Sequence, residues 1–161
     1  MLRFIFIRIC AVLIAVCFVI TLQACDRNSS ADKKISMLKS SAEAGNAKAQ
    51  FRLGRMYYSG KRINQNYTEA AKWFRLAAEQ GDAEAQYNLG TMYAEGLGVT
   101  RSYTEASKWY RLAAEHGNAD AQSHLGWMYH DGQGVMQSDT EALKWFRLAA
   151  EQGNAEAQYN I

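Results

Sequence analysis

The residues able to do chemistry are few and scattered. The three cysteines, Cys10, Cys17 and Cys25, all lie near the N-terminus. The body that follows therefore has no thiol nucleophile, no cysteine-ligated zinc and no disulfide framework. The three histidines, His116, His124 and His130, do not converge. On a helix, His124 and His130 point about 120° apart. Asp120 and His124 share a face at i, i+4, but two ligands do not make a zinc site. His116 replaces a Gln at a helix C-terminus, where an imidazole suits the dipole. Gly96-x-Gly98 and Gly132-x-Gly134 read as turns between helices rather than strand-to-helix phosphate loops. No Ser-His-Asp or paired-carboxylate arrangement is indicated. The expectation is a non-enzyme with no metal and no cofactor.

Cys25 is the exception, because its setting points to modification. Residues 1–8 are short and basic through Arg3 and Arg8, and Ile9 to Leu22 is an almost unbroken apolar run. This is the order of a secretory signal. Cutting before Cys25 would place Leu22 at −3, where ordinary signal peptidase wants a small residue. Leu22-Gln23-Ala24-Cys25 instead resembles a bacterial lipobox. The resemblance implies a diacylglyceryl thioether on Cys25, cleavage before it and acylation of the new amine. Several acyl chains attach firmly where one is marginal. An uncleaved anchor is the alternative, with the apolar run counted back to Phe4 and Arg8 snorkelling. Either way the basic end stays in the cytoplasm and the body faces outward, into the periplasm. Asp26 resembles the retention signal of enteric lipoproteins, which favours the inner over the outer membrane.

The elements behind these residues repeat with a period of 36. Ala49-Gln50, Ala85-Gln86, Ala121-Gln122 and Ala157-Gln158 recur at that spacing, as do Gly45, Gly81, Gly117 and Gly153, and Trp73, Trp109 and Trp145. Such a period signals stacked supersecondary units rather than one globular core. Each unit reads as two helices. Helix A of the second unit runs from about Asp82 to Glu95, with Gly81 as left-handed C′ residue of the helix before and Asp82 as N-cap. Helix B opens on a capping box, Asn66…Glu69, Ser102…Glu105 or Ser138…Glu141. Ala70, Trp73, Phe74, Ala77 and Ala78 share one face of helix B. Gly54, Gly90 and Gly126 sit mid-helix, at a cost of about 1 kcal/mol each against alanine. Their recurrence predicts a backbone crossing too tight for a Cβ. Arg62 stands where later turns have Gly98 and Gly134, which predicts a looser first turn.

The motif A-x-A-Q-x-x-L-G-x-M-Y-x-x-G-x-G-V, followed by Tyr-Thr-Glu-Ala and Lys-Trp-Phe/Tyr-Arg-x-Ala-Ala-Glu-x-Gly, resembles the Sel-one-like repeat (SLR), a relative of the tetratricopeptide repeat. The resemblance implies an all-α fold, a right-handed α-solenoid of helix-turn-helix units. The expected division is a signal peptide at 1–24, the lipidated cysteine and a tether at 25–32, and a solenoid at 33–161. The solenoid divides into a half repeat at 33–45, full repeats at 46–81, 82–117 and 118–153, and a partial repeat at 154–161.

Positions that vary between units are not required by repeat packing. On helix A they form a stripe: Lys48, Arg52, Arg55 and Ser59, then Glu84, Asn88, Thr91 and Glu95, then Asp120, His124, Trp127 and Asp131. A second row holds Phe51, Tyr58, Tyr87, Ala94, Ser123 and His130. The resemblance implies that helix A lines a concave face that binds a protein or peptide partner. The candidates are Arg52, Arg55, Tyr58, Asn88, Thr91, His124, Trp127 and His130. Trp127 is either a binding anchor or an inter-repeat filler, and Lys48 either faces a partner or pairs with Glu84. Leu76, Leu112 and Leu148 lie opposite the buried face of helix B and could form an outer apolar seam.

The net charge of +2 comes from Arg3 and Arg8, and residues 25–161 carry equal numbers of acids and bases. A neutral body exerts no general pull on nucleic acid. The function expected is a membrane-anchored interaction scaffold of the bacterial cell envelope. Two alternatives stand beside it. One is an SLR-type, β-lactamase-like hydrolase, although such SLR proteins are typically cysteine-rich. The other is an envelope protein that self-assembles through its C-terminal edge.

Overall fold

The computed structural model describes residues 32–161. Cys25 and the apolar run lie outside the described residues. The chain divides into two units between Ser40 and Ser41, and all packing below belongs to Ser41–Ile161. Helix α1 covers residues 32–43. It is followed by α2 (Ala47–Ser59), α3 (Tyr67–Ala78), α4 (Ala83–Glu95), α5 (Tyr103–Glu115), α6 (Ala119–Asp131), α7 (Asp139–Glu151) and α8 (Ala155–Tyr159). There is no strand among the described residues. From α2 onward each helix packs on its neighbours in chain order, which makes an all-α solenoid. The even-numbered members are the A helices and the odd-numbered ones the B helices.

Local chemistry sets each boundary. Asn46, Asp82, Asn118 and Asn154 hold extended N-cap conformations, and each side chain accepts from the backbone N–H three residues on. Asn66, Ser102 and Ser138 cap the B helices in the same way. Only half of the expected capping box forms. The cap N–H groups of Asn66, Ser102 and Ser138 donate instead to the carbonyls of Tyr57, Tyr93 and Tyr129, at 2.9 Å each. These carbonyls belong to the last turn of the preceding A helix, which has no intrahelical donor for them. One bond therefore satisfies a helix end and closes the hairpin. The released Glu105 and Glu141 side chains turn to Lys108 and Lys144.

The core is layered. Phe74, Ala70, Ala77, Leu89 and Met92 form one buried cluster, against which Trp109 of the next B helix packs. Tyr110, Ala113, Leu125 and Met128 form the next, completed by Trp145. Trp109 and Trp145 thus join neighbouring units.

The mid-helix glycines have a different cause from the one expected. A Cβ at Gly90 would lie 2.8 Å from Cδ1 of Tyr110, and one at Gly54 or Gly126 would lie 2.7 Å from Phe74 or Phe146. The crowding group is the aromatic ring of the unit's own B helix, not a crossing backbone. The first turn is also a correction. Arg62 takes φ 71°, beside 68° at Gly98 and 69° at Gly134, so the left-handed conformation is kept. Glycine in the later turns answers to contact as well, since a Cβ at Gly98 would come within 2.3 Å of the Tyr67 carbonyl carbon.

Candidate functional site

The variable stripe of the A helices is exposed or half-buried, while the repeated Ala, Leu and Gln residues fill the core. Lys48, Arg52, Arg55 and Ser59 are exposed on α2, as are Glu84 and Glu95 on α4 and Asp120 and Asp131 on α6. Asn88, Thr91, His124 and Trp127 are half-buried. This face is assembled from three helices held in register by polar rungs between units.

The main rung uses the repeated glutamine. Gln86 is buried, and its Nε2 donates to the carbonyl of Ala78 in the preceding B helix at 3.0 Å. Its Oε1 lies 2.9 Å from Nδ1 of His116 at the end of α5. An amide oxygen only accepts, so that ring nitrogen carries the proton. Gln50 and Gln122 repeat the arrangement, donating to Ala42 and Ala114 and accepting from Nε2 of Gln80 and Gln152. His116 thus ties α5 to α4 within the second unit and is more than a dipole partner, while the Gln86 bond to Ala78 joins that unit to the one before. A second rung links the N-caps. Asn118 Nδ2 donates to Glu84 and Asn154 Nδ2 to Asp120, each at 3.1 Å. Glu84 therefore belongs to Asn118, and no Lys48–Glu84 ion pair occurs among the described residues.

Each unit covers the ring of its B helix differently. Phe51 lies 5.9 Å from Phe74, with Tyr58 behind it. Tyr87 and His124 both stack on Tyr110, at 5.8 and 5.2 Å, so the second unit borrows a ring from the third. In the third unit Ser123 replaces the ring found at Phe51 and Tyr87, and Trp127 covers Phe146 instead, at 5.4 Å. The Trp127 indole N–H donates to Glu156 at 2.9 Å. Trp127 thus has a packing role and is half-buried. Tyr110 donates its hydroxyl to Thr91 at 3.1 Å. Burial pushes the Tyr110 hydroxyl well above the ordinary tyrosine range, with the Thr91 hydrogen bond opposing. Burial, then the Asp120 charge, raises Tyr87 as well. Burial raises Tyr58.

The remaining candidates are less tied. Arg55 lies over the Phe51 ring and Asn88 donates to the Glu84 carbonyl. His130 Nδ1 is 3.3 Å from Asp139, both of them exposed. Arg52 is exposed. Among the described residues no group of three or more His, Cys, Asp or Glu is placed to hold a metal, and no helix is long and apolar enough to cross a membrane. On the opposite face, Leu76, Leu112 and Leu148 are exposed. Leu76 borders a groove of about 310 Å³ with Thr68, Lys72, Arg75, Gly98 and Val99.

The Sel1 repeat profile matches residues 47–82, 83–118 and 119–154, one residue out of step with the units read from the motif. The chain belongs to the Sel1 repeat family. Sel1 repeats are generally interaction scaffolds rather than enzymes. Two solved Sel1-type structures are similar in sequence as well as fold. One is c5321, a protective antigen present in uropathogenic Escherichia coli strains, which displays an SLR fold. It is 48% identical, with a TM-score of 0.74 over 77% of this chain and 27% of that one. The present chain thus spans about a quarter of that antigen's length. The other is a Sel1 repeat protein from Oxalobacter formigenes, 42% identical, with a TM-score of 0.73 over 80% of this chain and 96% of that one. The Helicobacter pylori cysteine rich protein B shares the fold at 21% identity, with a TM-score of 0.64 over 83% and 96% of the two chains. No curated protein matches the chain.

Proposed function

We propose that this Sel1 repeat chain is a membrane-tethered adaptor of the bacterial cell envelope, facing the periplasm, and that it holds a protein or peptide partner on its A-helix face. One observation carries the interaction reading. On the A helices the residues that differ between units form a stripe that is exposed or half-buried, Ser123 apart, while those that recur are spent on packing, caps and rungs. A face released from the demands of the fold is free to match a partner. The tether rests on the lipobox-like Leu22-Gln23-Ala24-Cys25 and on the basic and apolar segments before it.

A photoreactive residue placed at Asn88 or Asp131 in cells should capture a protein on the A face. The same residue at Lys108, on the exposed side of α5, should capture little. Equal capture at all three positions, or none at any, would count against the A face. Cys25→Ser should abolish lipid attachment, and unchanged processing and acylation would reject the tether.

A further inference from the structure

The neutral body is strongly polarised along the chain. Residues 33–62 hold eight bases and one acid, Glu43, whereas residues 63–161 hold seven bases and thirteen acids. Within Ser41–Ile161 the basic end consists of Lys48, Arg52, Arg55, Lys61 and Arg62, all exposed. None of the five forms an ion pair among the described residues. Repeat packing requires none of them. Asn88, Thr91, Leu97 and Gly98 stand in place of Arg52, Arg55, Lys61 and Arg62 one unit later. Arg62 even keeps a left-handed φ of 71°, a conformation that disfavours side chains. The basic stretch is also the one nearest Cys25, beginning eight positions after it at Lys33.

We propose that this basic end docks on the anionic lipid surface beside the anchor, and that the acidic remainder of the array is held off it. The geometry rests on the membrane-tethered reading above. Long, exposed cations with no ion-pair partner among the described residues suit a flat field of phosphates better than a shaped protein partner. The attraction acts within a Debye length, about 8 Å at physiological salt. Asp120, Asp131 and Glu156, at the far end, meet repulsion from the same surface. The array would then stand away from the bilayer with the A face of its later units open to a partner.

The full chain, reconstituted in vesicles, tests this. One set is phosphatidylcholine alone, and the other contains phosphatidylglycerol in equal part. A water-soluble acetylating reagent and mass spectrometry read each lysine. In the anionic vesicles Lys48 and Lys61 should react about fivefold more slowly, with recovery at high salt. Lys108 and Lys144 should not change between the two sets. Arg52→Glu/Arg62→Gly should lose the protection of Lys48 and Lys61 at unchanged helicity. Equal rates in the two vesicle types would overturn the proposal. So would protection that persists in the variant, or protection that follows protein concentration rather than lipid charge, which would mark a second copy. Flotation with neutral vesicles reads the anchor separately. A chain that fails to float there, yet shows lipid-charge-dependent protection, would sink the tether and leave the basic docking end standing.

Discussion

Tyr110 shows how a single residue couples packing to pH. Its ring is almost fully buried between Tyr87 and His124, and its hydroxyl has only Thr91 to bond. Burial raises its ionisation in the folded chain above the ordinary value of 10.0. The neutral form is therefore favoured by folding. Its contribution is fully present below the unfolded value and is lost as pH rises toward the folded one. At one pH unit above the unfolded value, this residue alone should cost about 1.4 kcal/mol of stability. Urea denaturation from pH 8 to pH 11 should show that loss in the wild type. Tyr110→Phe should have a flatter profile, with the residual slope coming partly from Tyr87. Parallel profiles above pH 10 would remove Tyr110 as the source. The residue scale also marks a limit of sequence reading. Gly90 was legible as a residue demanded by contact, because a costly glycine recurs mid-helix. The crowding partner was not legible, because Tyr110 lies on another helix and no local pattern tells a ring from a backbone.

Helix ends and helix pairs show the same division. The N-caps at Asn46, Asp82 and Ser102 were readable because a cap and its acceptor bond are three residues apart. The rungs were not. Gln86 was visible only as half of a recurring Ala-Gln pair, and its two partners lie eight residues before it and thirty after it. The exchange of Ser123 and Trp127 was hidden for a similar reason, since two variable positions compensate through the shared Phe146 ring. The rung predicts a measurable coupling between α4 and α5. Gln86→Leu should cost about 1 kcal/mol, because it removes two hydrogen bonds, although the Ala78 carbonyl keeps the Gly81 N–H and the exposed His116 N–H is left to water. His116→Gln should cost little, since Gln80 and Gln152 hold the same place in the other rungs. In a double-mutant cycle, Gln86→Leu with His116→Ala should be coupled by about 1 kcal/mol. Additive losses would mean that the rung contributes nothing beyond its separate residues.

At the scale of the whole array, the units should be interchangeable, and removing one tests that directly. Deleting residues 82–117 joins Gly81 to Asn118, the same Gly-Asn junction that natively links residues 117 and 118 and residues 153 and 154. Every long-range rung has an equivalent 36 residues on. Gln122 would take the Ala78 carbonyl in place of Gln86, and Tyr129 would replace Tyr93 beneath Arg75. Ring packing changes most, because His124 would meet Phe74 with Phe51 beside it, rather than Tyr110 with Tyr87. Solenoid stability is close to a sum of unit and nearest-neighbour terms, so the shortened chain should lose stability without losing its fold. Circular dichroism should give helicity per residue within about 10% of the parent, with a lower melting temperature. The basic end at Lys48 to Arg62 is untouched by the deletion, so protection by anionic vesicles should survive it. An unfolded deletion product would show that Tyr110 and its borrowed His124 ring are indispensable to the array. A folded product that has lost lipid-dependent protection would place the docking charge in the deleted unit, against its excess of acids over bases.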